Sequence, residues 1–501
     1  MSEQDNRMAK SSTNWRTIVL IGGPVLSVLF ILFIDLKPGS PEVTYTAAIA
    51  LLMAVWWLTE VINLGVTALL PLFLFPLFQI MPGKEVAPIY FNNIVLLFMG
   101  AFIVALALEK WGLHRRIGLR ILAMLGNSGP GIILGFMLTT AFLSMWISNT
   151  ATAMIMVPIA LAVIAKLEDE LGENQLHGFT VALLIAIAYA ASIGGTATII
   201  GTPPNLAFVK IYSIYYPEAD SITFSQWMVF ALPVATVFLF AAWGIILGLS
   251  GVFKLNISLD RSYFKNEYTK LGQISYEEKV VLVVFSLMAV LWVTRAELQI
   301  GSVVIPGWSN LFPEPDFIDD STIAIAAAFV LFLIPAKSEK SDRIMHWKNA
   351  RQLPWSIILL FGGGFALAEG MKTSGLSEWI GQHLHSLANV TPIIIILIIA
   401  LLVIFLTELT SNTATTQMIL PILASVAAAT GIAPLLLMIP ATLAASYAFM
   451  LPVATPPNAV VFGSKRLKVY EMARIGIFMN FLGTGFILLA VFFLGKSIFG
   501  F

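Results

Sequence analysis

Long apolar runs separated by short polar stretches follow one another along the chain from residue 17 onward. Eleven of these runs approach the length that a helix needs to cross a bilayer, which is about 20 residues. They are Thr17–Ile34, Tyr45–Ile62, Gly65–Ile80, Ile94–Leu108, Phe179–Gly201, Trp227–Leu249, Val280–Thr294, Thr322–Pro335, Trp355–Gly370, Pro434–Ala454 and Ile475–Leu494. After the fourth and ninth runs, Glu109–Ile121 and Lys372–Leu387 mix polar and apolar residues and are expected to lie along the membrane surface. The pattern predicts an all-α polytopic membrane protein with eleven transmembrane helices.

Two further apolar runs, Gly131–Ala165 and Thr391–Ala429, are interrupted near their centres by the same polar sequence, Ser-Asn-Thr-Ala-Thr. A helix that continued through this sequence would place hydroxyl and amide groups in lipid. Irregular backbone at that depth is tolerated only where it is buried in protein or lines a watery cavity. We therefore predict two re-entrant hairpins, each of which turns at its polar sequence.

The two polar sequences, Ser148–Thr152 and Ser411–Thr415, are 263 positions apart. A second motif, Thr-Pro-Pro-Asn, occurs at 202–205 and again at 455–458, downstream of the polar sequence in each half. Because two motifs recur in the same order, the chain contains an internal duplication. Proline has no amide hydrogen and clashes within a continuing helix, so the Thr-Pro-Pro-Asn motifs are predicted to break the fifth and tenth spans.

The positions of lysine and arginine predict the orientation of the chain. With the N-terminus in the cytoplasm, only six of the 28 basic residues lie outside, in keeping with the positive-inside rule. The C-terminus is then extracytoplasmic. Phe-x-Gly-x-Phe sequences at 98–102 and 361–365 lie on the fourth and ninth spans, five spans apart, so the two halves are predicted to have opposite orientations. Inverted repeats with broken helices that meet at mid-membrane are typical of secondary transporters.

The composition agrees with a membrane protein and excludes several classes of function. The 501 residues are 58% hydrophobic and 11% charged, and the mean hydropathy is +0.89. Zero net charge argues against nucleic acid as a partner, and the lack of cysteine excludes disulfides and thiolate metal sites. The sequence contains no His-Glu-x-x-His, Gly-x-Ser-x-Gly or Gly-x4-Gly-Lys-Ser/Thr motif. An enzyme or an ATP-driven pump is therefore not expected.

Each Ser-Asn-Thr sequence is predicted to begin the second helix of its hairpin. Unpaired backbone amides and the helix dipole at that position favour an anion, and hydroxyl and amide side chains add further donors. Two such turns facing each other would hold the two carboxylates of a dicarboxylate. The predicted substrate contacts are Ser148, Asn149, Thr150, Ser411, Asn412 and Thr413. The alternative is that these residues only cap buried helix ends.

No lysine, arginine or histidine lies in either polar sequence, so another group must balance the charge of a bound dianion. Carbonyls at the breaks, the hydroxyls of Ser144, Ser148 and Thr407, and the asparagine oxygens form an all-oxygen set that suits a hard cation such as sodium. Glu408 is expected deep in the second hairpin, and we favour a hydrogen-bonded structural role over a coupling role for it. A channel would also place polar residues in a pore, but broken helices around a central site fit alternating access better.

The paired Ser-Asn-Thr motifs, together with Thr-Pro-Pro-Asn at 202–205 and 455–458, resemble the divalent anion/sodium symporters, also called solute-carrier family 13 or INDY-like carriers. The resemblance covers nearly the whole chain. It implies an elevator-type homodimer in which a mobile transport domain moves against a fixed scaffold. The implied parts are a cytoplasmic tail at 1–16, scaffold at 17–129 and 280–390, transport domain at 130–250 and 391–501, and a cytoplasmic connection at 251–279.

The resemblance also implies the roles of particular residues. By analogy, Thr455 and Pro456 join the motif residues in contacting substrate. Two sodium sites are implied, and Gly201 is placed in the first only by its symmetry with Ala454 in the second. The first site comprises Ser144, Ser148, Asn149 and Gly201, and the second comprises Thr407, Ser411, Asn412 and Ala454.

The expected function is sodium-coupled symport of a C4-dicarboxylate such as succinate, malate or fumarate across the bacterial inner membrane. Sodium is the expected coupling ion, and no organic cofactor is expected. Citrate and sulfate are alternative substrates, because the same donors would serve them. A sodium-independent exchanger and an anion channel are the alternative classes. The expected partners are the substrate anion, sodium, the lipid bilayer and a second copy of the chain.

Overall fold

The structure is a computed structural model that describes residues 3–124, 128–255, 257–260, 262–300, 303–339, 341–386 and 390–500. Residues 1–2 of the predicted tail and Leu387 of the second predicted surface helix lie outside these ranges. α-Helices, numbered α1 to α24 in chain order, make up nearly all of the regular structure. One antiparallel pair, β1 (Leu298–Ile300) and β2 (Val303–Ile305), lies in the loop after the predicted seventh span. The predicted helical class is therefore confirmed apart from this short β-hairpin.

The first quarter of the chain forms seven helices. They are α1 (Glu3–Phe33), α2 (Pro41–Thr59), α3 (Leu64–Thr67), α4 (Leu70–Leu77), α5 (Gly83–Ile89), α6 (Asn93–Lys110) and α7 (Leu113–Met124). The predicted third span, Gly65–Ile80, is not one helix, because it divides into α3 and α4. Pro71 lies in the first turn of α4, where its missing amide hydrogen is tolerated. The first predicted surface helix corresponds to α7.

The first interrupted run folds as two helices joined by a turn at 145–148, as predicted. The helices of this region are α8 (Gly129–Ser144), α9 (Asn149–Leu171), α10 (Glu173–Gly195), α11 (Pro203–Tyr215) and α12 (Phe224–Ser250). The predicted fifth span ends at Gly195, and the chain becomes helical again at Pro203. The first Thr-Pro-Pro-Asn motif therefore follows a broken helix.

The middle of the chain contains six helices. They are α13 (Ser262–Lys270), α14 (Tyr276–Thr294), α15 (Asp320–Leu333), α16 (Trp347–Ala350), α17 (Trp355–Thr373) and α18 (Leu376–Leu384). Arg116 on α7 forms a buried ion pair with Glu278 on α14 at 2.7 Å, and its guanidinium also donates to the Gly272 carbonyl at 2.9 Å. This contact fastens the surface helix α7 to the start of the seventh span.

The last part of the chain repeats the sequence of hairpin and broken helix. Its helices are α19 (Pro392–Thr407), α20 (Asn412–Thr430), α21 (Pro434–Ala445), α22 (Pro456–Phe462), α23 (Val469–Ala490) and α24 (Lys496–Phe499), with a π-helical turn at Val491–Gly495. The second hairpin turns at 408–411. The second broken helix ends at Ala445 and resumes at Pro456, so both predicted breaks are present.

Helices of the two halves pack on each other reciprocally. α10 packs on α8 and α9, and α21 packs in the same way on α19 and α20. The short helices cross over, because α11 of the first half packs on α20 and α22 of the second half packs on α9. The centre of this body is the stretch Phe179–Gly195 of α10, in which every residue is buried. A helix that is apolar on all sides requires such a surrounding.

Eight helical stretches in the described part of the chain are long and apolar enough to span a bilayer. They are Trp15–Phe33, Pro41–Thr59, Gly83–Lys110, Asn149–Leu171, Glu173–Gly195, Phe224–Ser250, Asn412–Thr430 and Val469–Phe499. Other apolar helices are shorter, and α8 and α19 have 16 residues each. Such a helix is about 24 Å long, less than the hydrocarbon thickness of about 30 Å. An integral membrane protein is confirmed, whereas the count of eleven spans and the sides of the termini stay predictions.

Candidate functional site

Both polar sequences lie where one helix ends and the next begins. In the first hairpin α8 ends at Ser144 and α9 begins at Asn149, and in the second α19 ends at Thr407 and α20 begins at Asn412. The start of a helix leaves backbone amides without intrahelical partners, and these amides point into the space in front of the turn. The structure thus places both Ser-Asn-Thr sequences at helix N-termini, as predicted.

The serines of the two motifs differ in their contacts. The Ser148 hydroxyl accepts a hydrogen bond from the Ala151 amide at 3.2 Å and so caps α9. Ser411 occupies the equivalent position before α20, but its side chain makes no such cap. The alternative explanation, that these residues serve only as helix caps, therefore accounts for the serine of the first motif and not for that of the second.

The first oxygen cluster joins the end of α8, the start of α9 and the break after α10. The Ser144 hydroxyl lies 2.5 Å from Asn149 Oδ1 and 2.7 Å from the Ala191 carbonyl oxygen. The same end of the Asn149 amide lies 3.2 Å from the carbonyl oxygens of Ala191 and Gly201. An amide nitrogen at this position donates to both carbonyls, whereas an amide oxygen there requires a cation among the oxygens. The cluster therefore has two arrangements, one hydrogen-bonded and one suited to a cation.

The second oxygen cluster repeats this geometry at the end of α19. Thr407 Oγ1 lies 2.6 Å from Asn412 Oδ1 and 3.0 Å from the Ala445 carbonyl oxygen. The hydroxyl, the amide and the carbonyl thus recur in the arrangement of the first cluster. Ser144 and Thr407 are both fully buried. The duplicated sequence therefore builds two equivalent sets of oxygens.

The predicted sodium residues at the two breaks, Gly201 and Ala454, are placed differently. The Gly201 carbonyl belongs to the first cluster, and a Cβ at this position would lie 2.4 Å from the Gly195 carbonyl oxygen, so only glycine fits. Ala454 is buried directly before Thr455. Within the described residues, no hydrogen bond links Ala454 to the second cluster.

The asparagines of the Thr-Pro-Pro-Asn motifs each close the break that precedes them. Asn205 Nδ2 donates to two carbonyls of the first break at 3.3 and 2.7 Å, and Asn458 Nδ2 donates to two carbonyls of the second break at 3.1 and 3.0 Å. The accepting carbonyls are those of Thr196 and Thr198, and of Ala448 and Leu451. Unwound backbone inside a membrane protein needs such partners, so these asparagines stabilise the broken helices.

The remaining predicted substrate residues lie at three helix starts. Thr150 and Thr413 are the second residues of α9 and α20. Thr455 Oγ1 accepts a hydrogen bond from the Asn458 amide at 3.2 Å and caps α22, and Pro456 begins that helix with its side chain exposed. These positions bring the predicted donors to the turns and the second break, and their contact with substrate stays a prediction.

Two contributors to the oxygen clusters, the carbonyls of Ala191 and Ala445, could not be assigned to particular residues from the sequence. Every residue has a backbone carbonyl, so the sequence does not show which carbonyl contributes to a site. A weak signal exists nevertheless, because Ala-Ala-Ser occurs at 190–192 and again at 444–446, shortly before each Thr-Pro-Pro-Asn motif. This fourth repeated motif occurs in the same order as the others and lies near the end of α10 and at the end of α21.

The oxygen clusters consist of neutral hydroxyl, amide and carbonyl groups. In the described ranges no three His, Cys, Asp or Glu side chains come together in a way that would hold a metal ion. Transition metals favour imidazole or thiolate ligands, whereas hard cations favour oxygens. The chemistry of the clusters therefore fits a weakly held alkali cation.

Comparison with known families and proteins supports the resemblance to the sodium symporters. The family described as the sodium:sulfate symporter transmembrane region matches residues 13–500. The sodium-dependent dicarboxylate transporter SdcS of Staphylococcus saprophyticus is 43% identical over 504 aligned residues, which cover 99% of this chain and 94% of the relative. SdcS of a bovine strain of Staphylococcus aureus is 43% identical over 489 residues, which cover 96% of this chain and 92% of the relative.

Among solved structures, MtrF of Neisseria gonorrhoeae, described with a class of antimetabolite efflux pumps, has a TM-score of 0.56. The alignment covers 82% of this chain and 84% of MtrF at 14% identity, so the similarity concerns the fold alone. The family match and the staphylococcal relatives extend over nearly the whole chain, which confirms the expectation of a transporter rather than an enzyme. The chain therefore belongs to the sodium:sulfate symporter family, the divalent anion/sodium symporters that its motifs resemble.

Proposed function

We propose that the protein is a secondary active transporter that couples the entry of sodium to the uptake of a C4-dicarboxylate such as succinate, malate or fumarate. The observation that carries this proposal is the pair of equivalent oxygen clusters, each joined to a helix N-terminus that favours an anion. The staphylococcal relatives are named sodium-dependent dicarboxylate transporters, which supports the same ion and substrate class.

The dicarboxylate binds between the two hairpin turns. Backbone amides at the starts of α9 and α20 supply donors for its two carboxylates, and the hydroxyls of Thr150, Thr413 and Thr455 add to them. Two matched sets of donors suit a ligand with an anionic group at each end. Citrate and sulfate are the alternative substrates that the same donors would accept.

Sodium binds in the oxygen clusters. Asn149 and Asn412 belong both to a cluster and to a helix start, so each amide can present its oxygen to sodium and its nitrogen to a carboxylate. Sodium in the first cluster fixes Asn149 in the orientation that faces oxygen toward the carbonyls of Ala191 and Gly201. Because the cation fixes the donor that the anion needs, each ligand strengthens the binding of the other.

Transport by an elevator mechanism requires the hairpins and broken helices to move as a unit against a scaffold formed by spans one to four and seven to nine. The crossed packing of α11 on α20 and of α22 on α9 supports such a unit, and it also supports an inverted repeat. The protein is proposed to act as a homodimer with a cytoplasmic N-terminus. Cysteines paired across α11 and α17 test the movement in a chain without native cysteine. A cross-linked protein that transports at full rate would rule it out.

Uptake of labelled succinate into proteoliposomes tests the proposed function. An inward sodium gradient should drive uptake, and the same gradient of potassium or choline should not. Uptake that ignores sodium but needs internal dicarboxylate would identify an exchanger instead. Single-channel currents without accumulation against a gradient would identify an anion channel.

A further inference from the structure

The carboxylate of Glu408 accepts hydrogen bonds from four donors. Oε1 accepts from the amides of Phe449 and Met450 at 2.7 and 2.9 Å and from Asn480 Nδ2 at 2.8 Å, and Oε2 accepts from the Leu451 amide at 3.0 Å. The side chain is only 3% exposed. A buried charge is stable only when it is well paired, and hydrogen bonds to a charged group are stronger than neutral ones. Glu408 is therefore a strong link between the second hairpin and the second break.

The unwound segment 448–451 depends on Glu408 for all of its bonded amides. Its carbonyls have other partners, since Asn458 Nδ2 donates to Ala448 and Leu451 and the Tyr189 hydroxyl donates to Phe449 at 2.6 Å. The three consecutive amides at 449–451 all point to the one carboxylate. Without an acceptor the buried Phe449 amide and the part-buried amides of Met450 and Leu451 would lose their partner, which would destabilise the conformation of the segment.

Glu408 lies between the parts of the second site. The preceding residue, Thr407, supplies the hydroxyl of the second oxygen cluster, and the segment that Glu408 holds leads from the Ala445 carbonyl to Thr455. The distance between Thr407 and the second break is therefore set through this carboxylate. α23 supports it from behind, because Asn480 donates to Glu408 and Gly476 lies one turn earlier, where a Cβ would meet the Phe449 carbonyl oxygen at 2.3 Å.

The first half uses a neutral link at the same place. The residue equivalent to Glu408 is Met145, whose carbonyl oxygen accepts a hydrogen bond from the Thr198 hydroxyl at 2.6 Å. Thr198 Oγ1 in turn accepts from the Gly201 amide at 3.1 Å. A hydroxyl thus ties the first turn to the first break, whereas a full negative charge ties the second turn to the second break.

We propose that Glu408 is a positioning residue for the second sodium site and for Thr455, acting through the amides of 449–451 rather than by touching sodium or substrate. The inference rests on the proposed sodium-coupled transport, and it adds that the two sodium sites are held by different groups. The second sodium site depends on a carboxylate that has no counterpart in the first, so loss of that carboxylate weakens sodium binding at one of the two clusters.

Glu408→Gln is the direct test, because it keeps the size of the side chain and replaces one acceptor oxygen by a donor. That donor would oppose either the Leu451 amide or the group of three donors at Oε1. We expect the sodium concentration for half-maximal succinate uptake to rise about tenfold and the KM for succinate to rise with it. Glu278→Gln is the matched control, since Glu278 is also a buried carboxylate and is paired with Arg116 away from both clusters. Its sodium requirement should stay at the wild-type value.

A second variant keeps the test decisive if Glu408→Gln does not fold. Asn480→Leu removes one donor from the carboxylate and leaves the three amide bonds, so it should raise the sodium requirement about threefold. Adding Asn480→Asp to Glu408→Gln returns an acceptor to the same pocket and should recover part of the sodium affinity.

Two results would overturn the proposal. A Glu408→Gln protein with wild-type sodium requirement and KM but a lower maximal rate would mean a purely structural role and overturn the proposal. Loss of a pH dependence seen in the wild type, with sodium affinity unchanged, would identify a proton-coupling group and overturn it as well. Both results leave sodium-driven uptake by the wild type intact, so the proposed function is judged separately.

Discussion

The two broken helices contribute the same chemical groups, but the side chains at the two breaks differ in how far they are exposed. Through the first break, 196–202, only Ile200 is even partly exposed. At the second break Val453 is 80% exposed, and Leu409 in the adjoining hairpin turn is 70% exposed. Both side chains are apolar, so the exposed surface at the second break is a hydrophobic one that the rest of the chain leaves uncovered. The duplicated sequence therefore determines the chemical groups at each break, whereas packing against the rest of the chain determines how far each break is exposed.

The two short helices that follow the breaks, α11 and α22, differ in their packing partners. α11 packs on α17, and Lys372 at the end of α17 donates to the Ile214 carbonyl. The Tyr215 hydroxyl lies 2.7 Å from Ser377 Oγ on α18. The equivalent helix α22 packs on α9 and α10, which belong to the hairpin body itself. Of these two helices, α11 is therefore the one that is tied to α17 and α18 by hydrogen bonds.

The largest effect is expected from removing the asparagine that each cluster shares with its helix start. Asn149→Ala and Asn412→Ala each remove a cation ligand and an anion donor, and a hydrogen bond to a charged group contributes about 1.5–3 kcal/mol. Succinate affinity should fall about ten- to a hundredfold, and the sodium requirement should rise in parallel. Kinetics of sodium-driven uptake in proteoliposomes measure both. Unchanged affinities in either variant would mean that its motif only caps a helix.

A second prediction concerns the residues at the end of each break. Gly201→Ala places a Cβ 2.4 Å from the Gly195 carbonyl oxygen, and overpacking of this kind costs about 1–3 kcal/mol. Transport by Gly201→Ala should therefore require about five- to a hundredfold more sodium. Ala454→Gly is the matched variant in the other half and should stay within about twofold of the wild type. Equal effects of the two variants would contradict the different placement of Gly201 and Ala454.

A smaller effect is expected from the hydroxyls of the clusters. Ser144→Ala and Thr407→Val remove one neutral oxygen each, which contributes about 0.5–1.5 kcal/mol. The sodium requirement should rise about two- to tenfold, while the KM for succinate measured at saturating sodium stays near the wild-type value. A change in KM at saturating sodium, with no change in the sodium requirement, would remove these residues from the cation sites.

The smallest effect on transport is expected from single cysteines at the two breaks. Their labelling rates also test most directly whether the breaks differ in exposure. Val453→Cys should react rapidly with a polar maleimide, and Ile199→Cys, which replaces a buried residue of the first break, should react slowly. Both proteins should transport near the wild-type rate if they fold. Equal labelling rates would show that the two breaks have equal access.

Much of this architecture could be predicted from the sequence, and the parts that could not share a physical reason. Repeated polar letters inside apolar runs locate the turns at 145–148 and 408–411, because a buried polar group needs an irregular backbone or a partner. Hydrogen bonds that involve backbone atoms far apart in the chain produce no recurring pattern in the sequence. The carbonyl of Ala191 and the amides bound by Glu408 are therefore visible only in the structure.

Identical sequence motifs also do not always make the same contacts. Ser148 and Ser411 stand in identical sequences, yet only Ser148 caps its helix in the structure. The predicted third span divides into α3 and α4, and Pro71 lies in the first turn of α4. Proline is tolerated in the first turn of a helix but not in its interior, so its effect depends on where the helix starts.

Two sodium sites are proposed to drive the uptake of one dicarboxylate. The most direct measurement is the steady-state ratio of labelled succinate inside and outside proteoliposomes, determined over a series of sodium gradients with the membrane potential held at zero. We expect the logarithm of this ratio to rise with the logarithm of the sodium gradient with a slope of at least two, one ion for each oxygen cluster. A ratio that stays at unity whatever the sodium gradient would contradict it.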